Sequence, residues 1–322
     1  MNLSKEKQAL LELTDEEIRQ VMLFARIVRS MEHQEKEKKE KKTDAYAQLQ
    51  ELIGLDEVKK TVDKILAMQR FCKIAQMRGR KIERPALHMQ MIGAPGTGKT
   101  IVARLLAQIF KEYGICSKGT FIEAGRADLI SEHVGGTAPK TREICRRAKG
   151  GVLFIDEAYG FMDEGNSYMG EFVSTLIAEM ENNRNDLIVV FAGYEQEMRE
   201  FMASNPGLKS RTSLALKFPD YSTAEMLAIT KHISHQKGFD IAESAEEYLQ
   251  KTFAEAAKES NFGNARFSRN LVEQAIMNKA ERIQYSDSLR MSDEELFSLD
   301  ESNFPSLSKK TDCTVHRIGF AV

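Results

Sequence analysis

The stretch Ile92–Thr100 reads IGAPGTGKT and sets Gly93, Gly98, Lys99 and Thr100 in the spacing G-x-x-x-x-G-K-[ST]. The chemistry of that pattern is phosphate binding. Small residues let the loop's backbone N–H groups close around a phosphate. Lys99 brings a cation to the β- and γ-phosphates, and the Thr100 hydroxyl can ligate Mg²⁺ at the positive end of the following helix. The run Gly93, Ala94, Pro95, Gly96, Thr97, Gly98, Lys99 and Thr100 is therefore the candidate phosphate site. A second candidate lies downstream, where the apolar run Val152–Ile155 ends in the adjacent carboxylates Asp156 and Glu157. Asp156 suits Mg²⁺ or its water, and Glu157 suits the general base that takes a proton from an attacking water. A kinase has no need of a second acid that activates water, so the pair points to hydrolysis.

These side chains need elements to carry them. The loop sits between the apolar run LHMQMI and a helical pattern through Phe110, the context this phosphate loop requires. LHMQMI, TFIEA, GVLFID and LIVVFAG are short apolar runs separated by helical periods between Ala45 and Pro219. They predict strands buried on both faces of a mostly parallel sheet, an α/β nucleotide-binding core over residues 44–220. Strand-like runs stop after FPDYS, and Leu271, Val272, Ala275, Ile276 and Ala280 recur at helical spacing, predicting a small helical domain over 221–300. Thr14 and Glu17 form a capping box ahead of Ile18, Val21, Met22, Ala25 and Val28. This N-terminal helix and the charged run EKEKKEKK make a leading segment over 1–43, and residues 301–322 read as a tail.

Composition narrows the function classes. The 322 residues carry 46 Lys plus Arg against 48 Asp plus Glu, a net charge of -2. No field over the whole molecule draws it to nucleic acid or anionic lipid. The four cysteines are dispersed without a CxxC pair, which disfavours a disulfide frame or zinc knuckle. No apolar signal segment opens the chain, and the apolar run VMLFARIV is short and contains Arg26, so the expected location is the cytoplasm, with no membrane partner. His232 and His235 stand three apart on a helical pattern and could bracket a metal, but no further ligand accompanies them and a solvated helix face is the simpler account.

Taken in order, the phosphate loop, FIDEAY, SNPGLKSR and GNARFSRN make the chain resemble an AAA+ ATPase, and more narrowly the CbbX/CfxQ and stage V sporulation protein K group. LIGLDEVKK, GGTAPKTRE, GGVLFIDEAY, ENNRNDLIVVFAGY and LKFPDYS carry the narrower likeness, which spans about Leu49 to Ile283. The resemblance implies a P-loop NTPase core with a helical lid, ATP and Mg²⁺ as cofactors, and a homo-oligomeric, usually hexameric, ring that remodels a protein client. It implies that Arg211 is an arginine finger acting on the neighbouring subunit's nucleotide and Arg266 the sensor-2 arginine of the lid, with Arg269 a lesser candidate. Ile53 and Gly54, in LIG, match the segment lining the adenine pocket.

Two positions depart from the group. The fourth core strand ends in AGY, which makes Tyr194 the candidate sensor-1 residue in place of a small polar side chain. The pore-facing loop reads EHVGG, so His133 replaces the usual aromatic grip. Two alternatives to remodelling are an ATP-switched assembly scaffold and a nucleic-acid-loading ATPase. The near-neutral charge disfavours the second.

Overall fold

Residues Met89–Gly93, Thr120–Ala124, Gly151–Ile155 and Leu187–Gly193 are the apolar runs of the sequence, and each forms a strand. The computed structural model describes residues 44–131, 133, 135–161, 168–258, 262–284 and 291–305. The expected N-terminal helix and charged run, and the end of the tail, lie outside them. In chain order the first elements are α1 (Ala45–Glu51), α2 (Asp56–Met77), β1 (Met89–Gly93), α3 (Lys99–Glu112), β2 (Thr120–Ala124), α4 (Arg126–Leu129), α5 (Thr137–Ala148) and β3 (Gly151–Ile155). After a 3-10 turn at Ala158–Phe161 come α6 (Tyr168–Asn182), β4 (Leu187–Gly193), α7 (Glu195–Ser204), α8 (Pro206–Arg211) and β5 (Leu214–Phe218). The lid follows as α9 (Thr223–Gln236), β6 (Asp240–Ile241), α10 (Glu243–Ala256), α11 (Asn264–Gln284), α12 (Asp293–Phe297), β7 (Ser298–Leu299) and a 3-10 turn at Glu301–Asn303.

The main sheet has five strands in the order β2-β3-β4-β1-β5, every neighbouring pair parallel. Every residue of β3 and β4 is buried, as a sheet covered on both faces demands. Alternation sorts their side chains. Leu153, Ile155, Leu187, Val189 and Phe191 join one core with Ile144 of α5, Phe172 and Leu176 of α6, and Phe201 of α7. Val152, Phe154, Ile188 and Val190 point the other way, the side on which α3 packs against β3. A fifth strand, β5, stands outside the four apolar runs of the sequence. Its outward residues Ala215 and Lys217 break the apolar signal that the inner strands show.

The lid is helical as expected, with one short parallel ladder added. Asp240–Ile241 pairs in parallel with Ser298–Leu299, a ladder too short for periodicity to reveal. Its core gathers Met226, Leu249, Phe253, Val272 and Leu299, together with Phe304 beyond the last strand. Among the described residues, no helix is long and apolar enough to cross a membrane.

His88, just before β1, is only 1% exposed. Its Nδ1 accepts the Val189 N–H at 3.0 Å, and its Nε2 lies 3.3 Å from the Met180 carbonyl oxygen, the arrangement of a neutral imidazole that donates through Nε2. Burial lowers its pKa to about 4. Because the folded value lies below the unfolded one, this contribution to stability is complete above about pH 6.5 and is lost as pH falls from there toward about 4. Between about pH 7.5 and about pH 5 the site should cost about 2 kcal/mol of unfolding free energy. Urea titrations at the two pH values should show that loss, and His88→Asn should flatten it.

Candidate nucleotide site

The loop from Gly93 to Thr100 leaves the carboxyl end of β1 and turns directly into α3, whose first residue is Lys99. Gly96 and Gly98 hold φ of 72° and 96°, the left-handed region that glycine enters without steric cost. At Gly96 a Cβ atom would also stand 2.2 Å from the Gly263 carbonyl oxygen and 2.9 Å from the Arg266 nitrogen. Only a glycine lets the lid come so close. Gly98 caps α3 without a side-chain hydrogen bond, which leaves the helix's first N–H groups and its positive end free of a competing acceptor. Thr97, 1% exposed, braces the loop from inside by donating to the Ala94 carbonyl at 2.8 Å. The Lys99 ammonium folds over the loop, donating to the carbonyls of Gly93 at 2.7 Å and Ala94 at 2.8 Å.

Strand order assembles the rest. In the sequence β3 is far from β1, but in the sheet only β4 separates them, so the residues after all three strands meet at one end. This is the usual ligand position of an open α/β sheet. Burial holds the Lys99 ammonium below its ordinary pKa, and the charge of Arg266 acts the same way, while Asp156 and Glu157 oppose both. Two carboxylates and two cations from three separate segments therefore lie within electrostatic reach. Glu157 has φ of 48°, a left-handed conformation that costs a side-chain-bearing residue free energy and recurs at functional sites. Its N–H donates to Asp156 Oδ1 at 3.1 Å, and its carbonyl accepts the Gly160 N–H at 2.7 Å, so both sides of the strained residue are fixed while its side chain stays exposed.

Tyr194 follows β4 and fills the space between. Its ring centroid lies 5.8 Å from Lys99 Nζ and 5.8 Å from the Tyr159 ring, with 28° between the two ring planes. Tyr194 thus meets the lysine with its aromatic face. Tyr159, whose phenol burial pushes above the ordinary value, escaped notice in the sequence because an aromatic after FIDEA carries no distinguishing period.

The LIG segment reaches the loop from the other side. Ile53 is half-buried, Gly54 and Leu55 both take left-handed φ (64° and 61°), and a Cβ at Gly98 would lie 3.8 Å from Leu55 Cδ1 and 3.5 Å from the Tyr221 hydroxyl oxygen. At Gly54 a Cβ would meet Glu225 Oε1 at 2.3 Å. Leu55, Tyr221 and Glu225 therefore stand beside the Gly54 and Gly98 backbones, next to the Ile53 and Gly54 positions expected to line the adenine pocket. Arg266 and Arg269, one turn apart at the start of α11, are both exposed; it is the backbone nitrogen of Arg266 that lies against the loop, 2.9 Å from where a Gly96 Cβ would stand.

Arg211 is not among the residues gathered here. On the parallel register of β5 and β1, Leu214 lies opposite Met89 and Phe218 opposite Gly93, so Arg211 precedes the sheet end opposite the phosphate loop. Five residues of strand put about 13 Å between those ends. There Arg211 Nε stands 3.4 Å from Glu181 Oε2 without hydrogen-bond alignment, and Nη1 donates to the Gly207 carbonyl at 3.3 Å. His133 is exposed on the loop before α5, away from these groups in sequence, and its N–H donates to Ser131 Oγ at 3.1 Å. His232 and His235 are exposed on α9. His232 Nε2 lies 2.8 Å from Gln236 Nε2, and among the described residues no group of three potential ligands surrounds either histidine.

The donor set fits a nucleoside triphosphate: a glycine loop in which Gly93 and Gly96 leave no room for a Cβ and Gly96 and Gly98 hold left-handed φ, an uncapped helix start, a partly desolvated ammonium and paired carboxylates. Residues 89–219 match the ATPase family associated with various cellular activities (AAA), and residues 222–313 match the AAA lid domain. Stage V sporulation protein K of Bacillus subtilis (strain 168) is 39% identical over 247 residues, covering 75% of this chain and 76% of that protein. Protein CbbX of Cereibacter sphaeroides is 40% identical over 235 residues, 72% of this chain and 76% of that one. The chloroplastic ribulose bisphosphate carboxylase/oxygenase activase of Cyanidioschyzon merolae (strain NIES-3377 / 10D) is 40% identical over 235 residues, 72% and 80% of the two chains. In fold, the FIGL-1 AAA domain solved in complex with ADP superposes with a TM-score of 0.56 at 21% identity, over 79% of this chain and 80% of that one. A parallel α/β core whose first strand runs into this loop, followed by the matching lid and this degree of identity to curated relatives, makes the chain a member of the AAA ATPase family, of the stage V sporulation protein K, CfxQ and CbbX type, that hydrolyses ATP.

Proposed function

We propose that this ATPase works as a hexameric ring in which each nucleotide lies between two subunits, and that turnover is coupled to remodelling of a protein client. The observation that carries the reading is the position of Arg211. It stands at the sheet end opposite its own phosphate loop, so a finger role requires a neighbour's site. Within one subunit, the loop N–H groups from Gly96 to Thr100 and the Lys99 ammonium bind the β- and γ-phosphates. Thr100 and Asp156 hold Mg²⁺, which supplies charge neutralisation on the phosphate oxygens. Glu157, exposed beside Asp156, accepts the proton of the attacking water as the bond from that oxygen to the γ-phosphorus forms and the bond to the bridging oxygen breaks. Arg266 supplies positive charge from the lid, and Ile53 and Gly54 line the base pocket with Leu55 and Tyr221. The likeness to proteins named for sporulation and for activation of ribulose bisphosphate carboxylase/oxygenase supports a client, without naming this chain's own.

The experiment uses Glu157→Gln, which retains ATP, to capture client proteins for identification. Wild type, His133→Ala and His133→Tyr are then compared for ATPase rate and for remodelling of the identified client. Remodelling through the pore expects His133→Ala to hydrolyse ATP near the wild-type rate yet lose remodelling, and His133→Tyr to keep it, because the larger ring restores stacking area. If both substitutions leave client handling unchanged, the ring acts as an ATP-switched scaffold.

A further inference from the structure

Three consecutive carbonyls of the phosphate loop, those of Pro95, Gly96 and Thr97, each accept a hydrogen bond from the lid or the segment leading into it. Asn264 Nδ2 donates to Pro95 O at 3.3 Å, the Ala265 N–H to Gly96 O at 3.1 Å, and the Tyr221 hydroxyl to Thr97 O at 3.1 Å. The loop's N–H groups are the phosphate donors. A peptide unit whose carbonyl is held on one side has its neighbouring N–H aimed by the same plane. The lid therefore holds the phosphate cradle by its reverse face.

Asn264 is the centre of this seam. It is wholly buried, and its φ of 47° is left-handed, a conformation asparagine tolerates better than most side-chain-bearing residues. Besides Pro95, its Nδ2 donates to Asp220 Oδ1 at 2.7 Å and to the Phe262 carbonyl at 3.2 Å, while its Oδ1 accepts the Tyr221 N–H at 3.0 Å. One amide thus ties together the start of α11, the Asp220–Tyr221 connection between core and lid, and the phosphate loop. We infer that Asn264 is a positioning residue for ATP binding which, with Tyr221 and the Ala265 N–H, makes the conformation of the phosphate loop and the orientation of the lid change together. The inference rests on the loop being the phosphate site. Gly96 is what permits it, since a Cβ there would push the Gly263 carbonyl and Arg266 away from the loop.

The test uses the full chain. Asn264→Gly keeps the left-handed backbone without strain and removes the side chain, and Tyr221→Phe removes a single hydroxyl. Melting temperature, ADP affinity, KM and kcat, and amide exchange of segments 93–100 and 262–268 with and without ADP are measured on each, with Lys99→Ala alongside. Losing the Asn264 bonds should raise the ADP Kd and the ATP KM about tenfold while kcat falls far less, and Tyr221→Phe should give a smaller rise of about threefold. In wild type, ADP should slow exchange in both segments. In Asn264→Gly, saturating ADP should still protect 93–100 but no longer 262–268, a split that general loosening does not produce. Folded Asn264→Gly with wild-type ADP affinity and joint protection of both segments overturns the inference. If Asn264→Gly does not fold, Tyr221→Phe decides: wild-type KM and joint protection reject the seam, while a raised KM with weakened lid protection supports it. Retained ADP affinity in Lys99→Ala would overturn the phosphate-site reading and this inference with it, whereas loss there with wild-type behaviour at Asn264→Gly and Tyr221→Phe overturns this inference alone.

Discussion

Lys99→Ala should abolish detectable nucleotide binding, whereas Glu157→Gln should bind ATP nearly as wild type and turn it over slower by about two to four orders of magnitude. The separation follows from where the two side chains stand. Lys99 is a partly desolvated cation lying over the loop, with Asp156 and Glu157 close enough to act on it. Its loss leaves those carboxylates opposed only by Arg266 where an anionic phosphate chain must settle, so binding suffers twice, through lost attraction and through uncovered repulsion. Glu157 is exposed beyond Asp156, and glutamine preserves its size while removing only its ability to take a proton. Calorimetric titration with a non-hydrolysable ATP analogue, paired with steady-state phosphate release, measures both quantities. An equal loss of affinity in the two variants would show that Glu157 binds rather than activates water.

The second expected result concerns assembly. Arg211→Ala and Glu157→Gln homo-oligomers should each lose at least about a hundredfold in ATPase rate, yet mixing them should restore part of it. A mixed ring contains interfaces where an intact Glu157 meets an intact Arg211 from the neighbour, which neither parent has. The geometry makes the expectation sharp, because Arg211 lies about 13 Å of strand away from its own loop and is engaged with Glu181 and the Gly207 carbonyl. To act on a neighbour's nucleotide the guanidinium must exchange Glu181 for phosphate oxygens, a trade of one anionic partner for a more highly charged one. Mixed oligomers verified by native mass spectrometry that show no recovery would remove Arg211 from the finger role.

Much of the candidate site's arrangement is local and legible in the order of residues. The phosphate loop is a continuous segment whose glycines, lysine and threonine act through their own backbone and one adjoining helix, so their spacing states their arrangement. Likewise, the run GVLFI is buried at every position and ends in the acids. Other features left weaker traces. The strand at Leu214–Phe218 alternates exposure and burial at the edge of the sheet, and the short pairing of Asp240–Ile241 with Ser298–Leu299 leaves no period at all. Asn264 stood in view within GNAR, but a buried amide that accepts one backbone N–H and donates to acceptors on three segments looks in sequence like any polar residue near a helix start.

The sequence by itself determined which segments bury both faces, where the chain turns tightly enough to bind phosphate, and which residues could carry charge there. These are properties of one stretch of chain, set by side-chain polarity, by glycine's access to left-handed φ and by helix and strand periods. Strand order was decided only in the tertiary structure, because parallel strands join through crossovers whose length does not name the partner. The order β2-β3-β4-β1-β5 brings Asp156 and Glu157 to Lys99, slips Tyr194 between β3 and β1, and sends Arg211 to the opposite end. The grip of Asn264, Ala265 and Tyr221 on the back of the loop was decided there as well. Loop carbonyls turned away from phosphate need partners wherever water is excluded, and which part of the chain supplies them depends on how the lid packs.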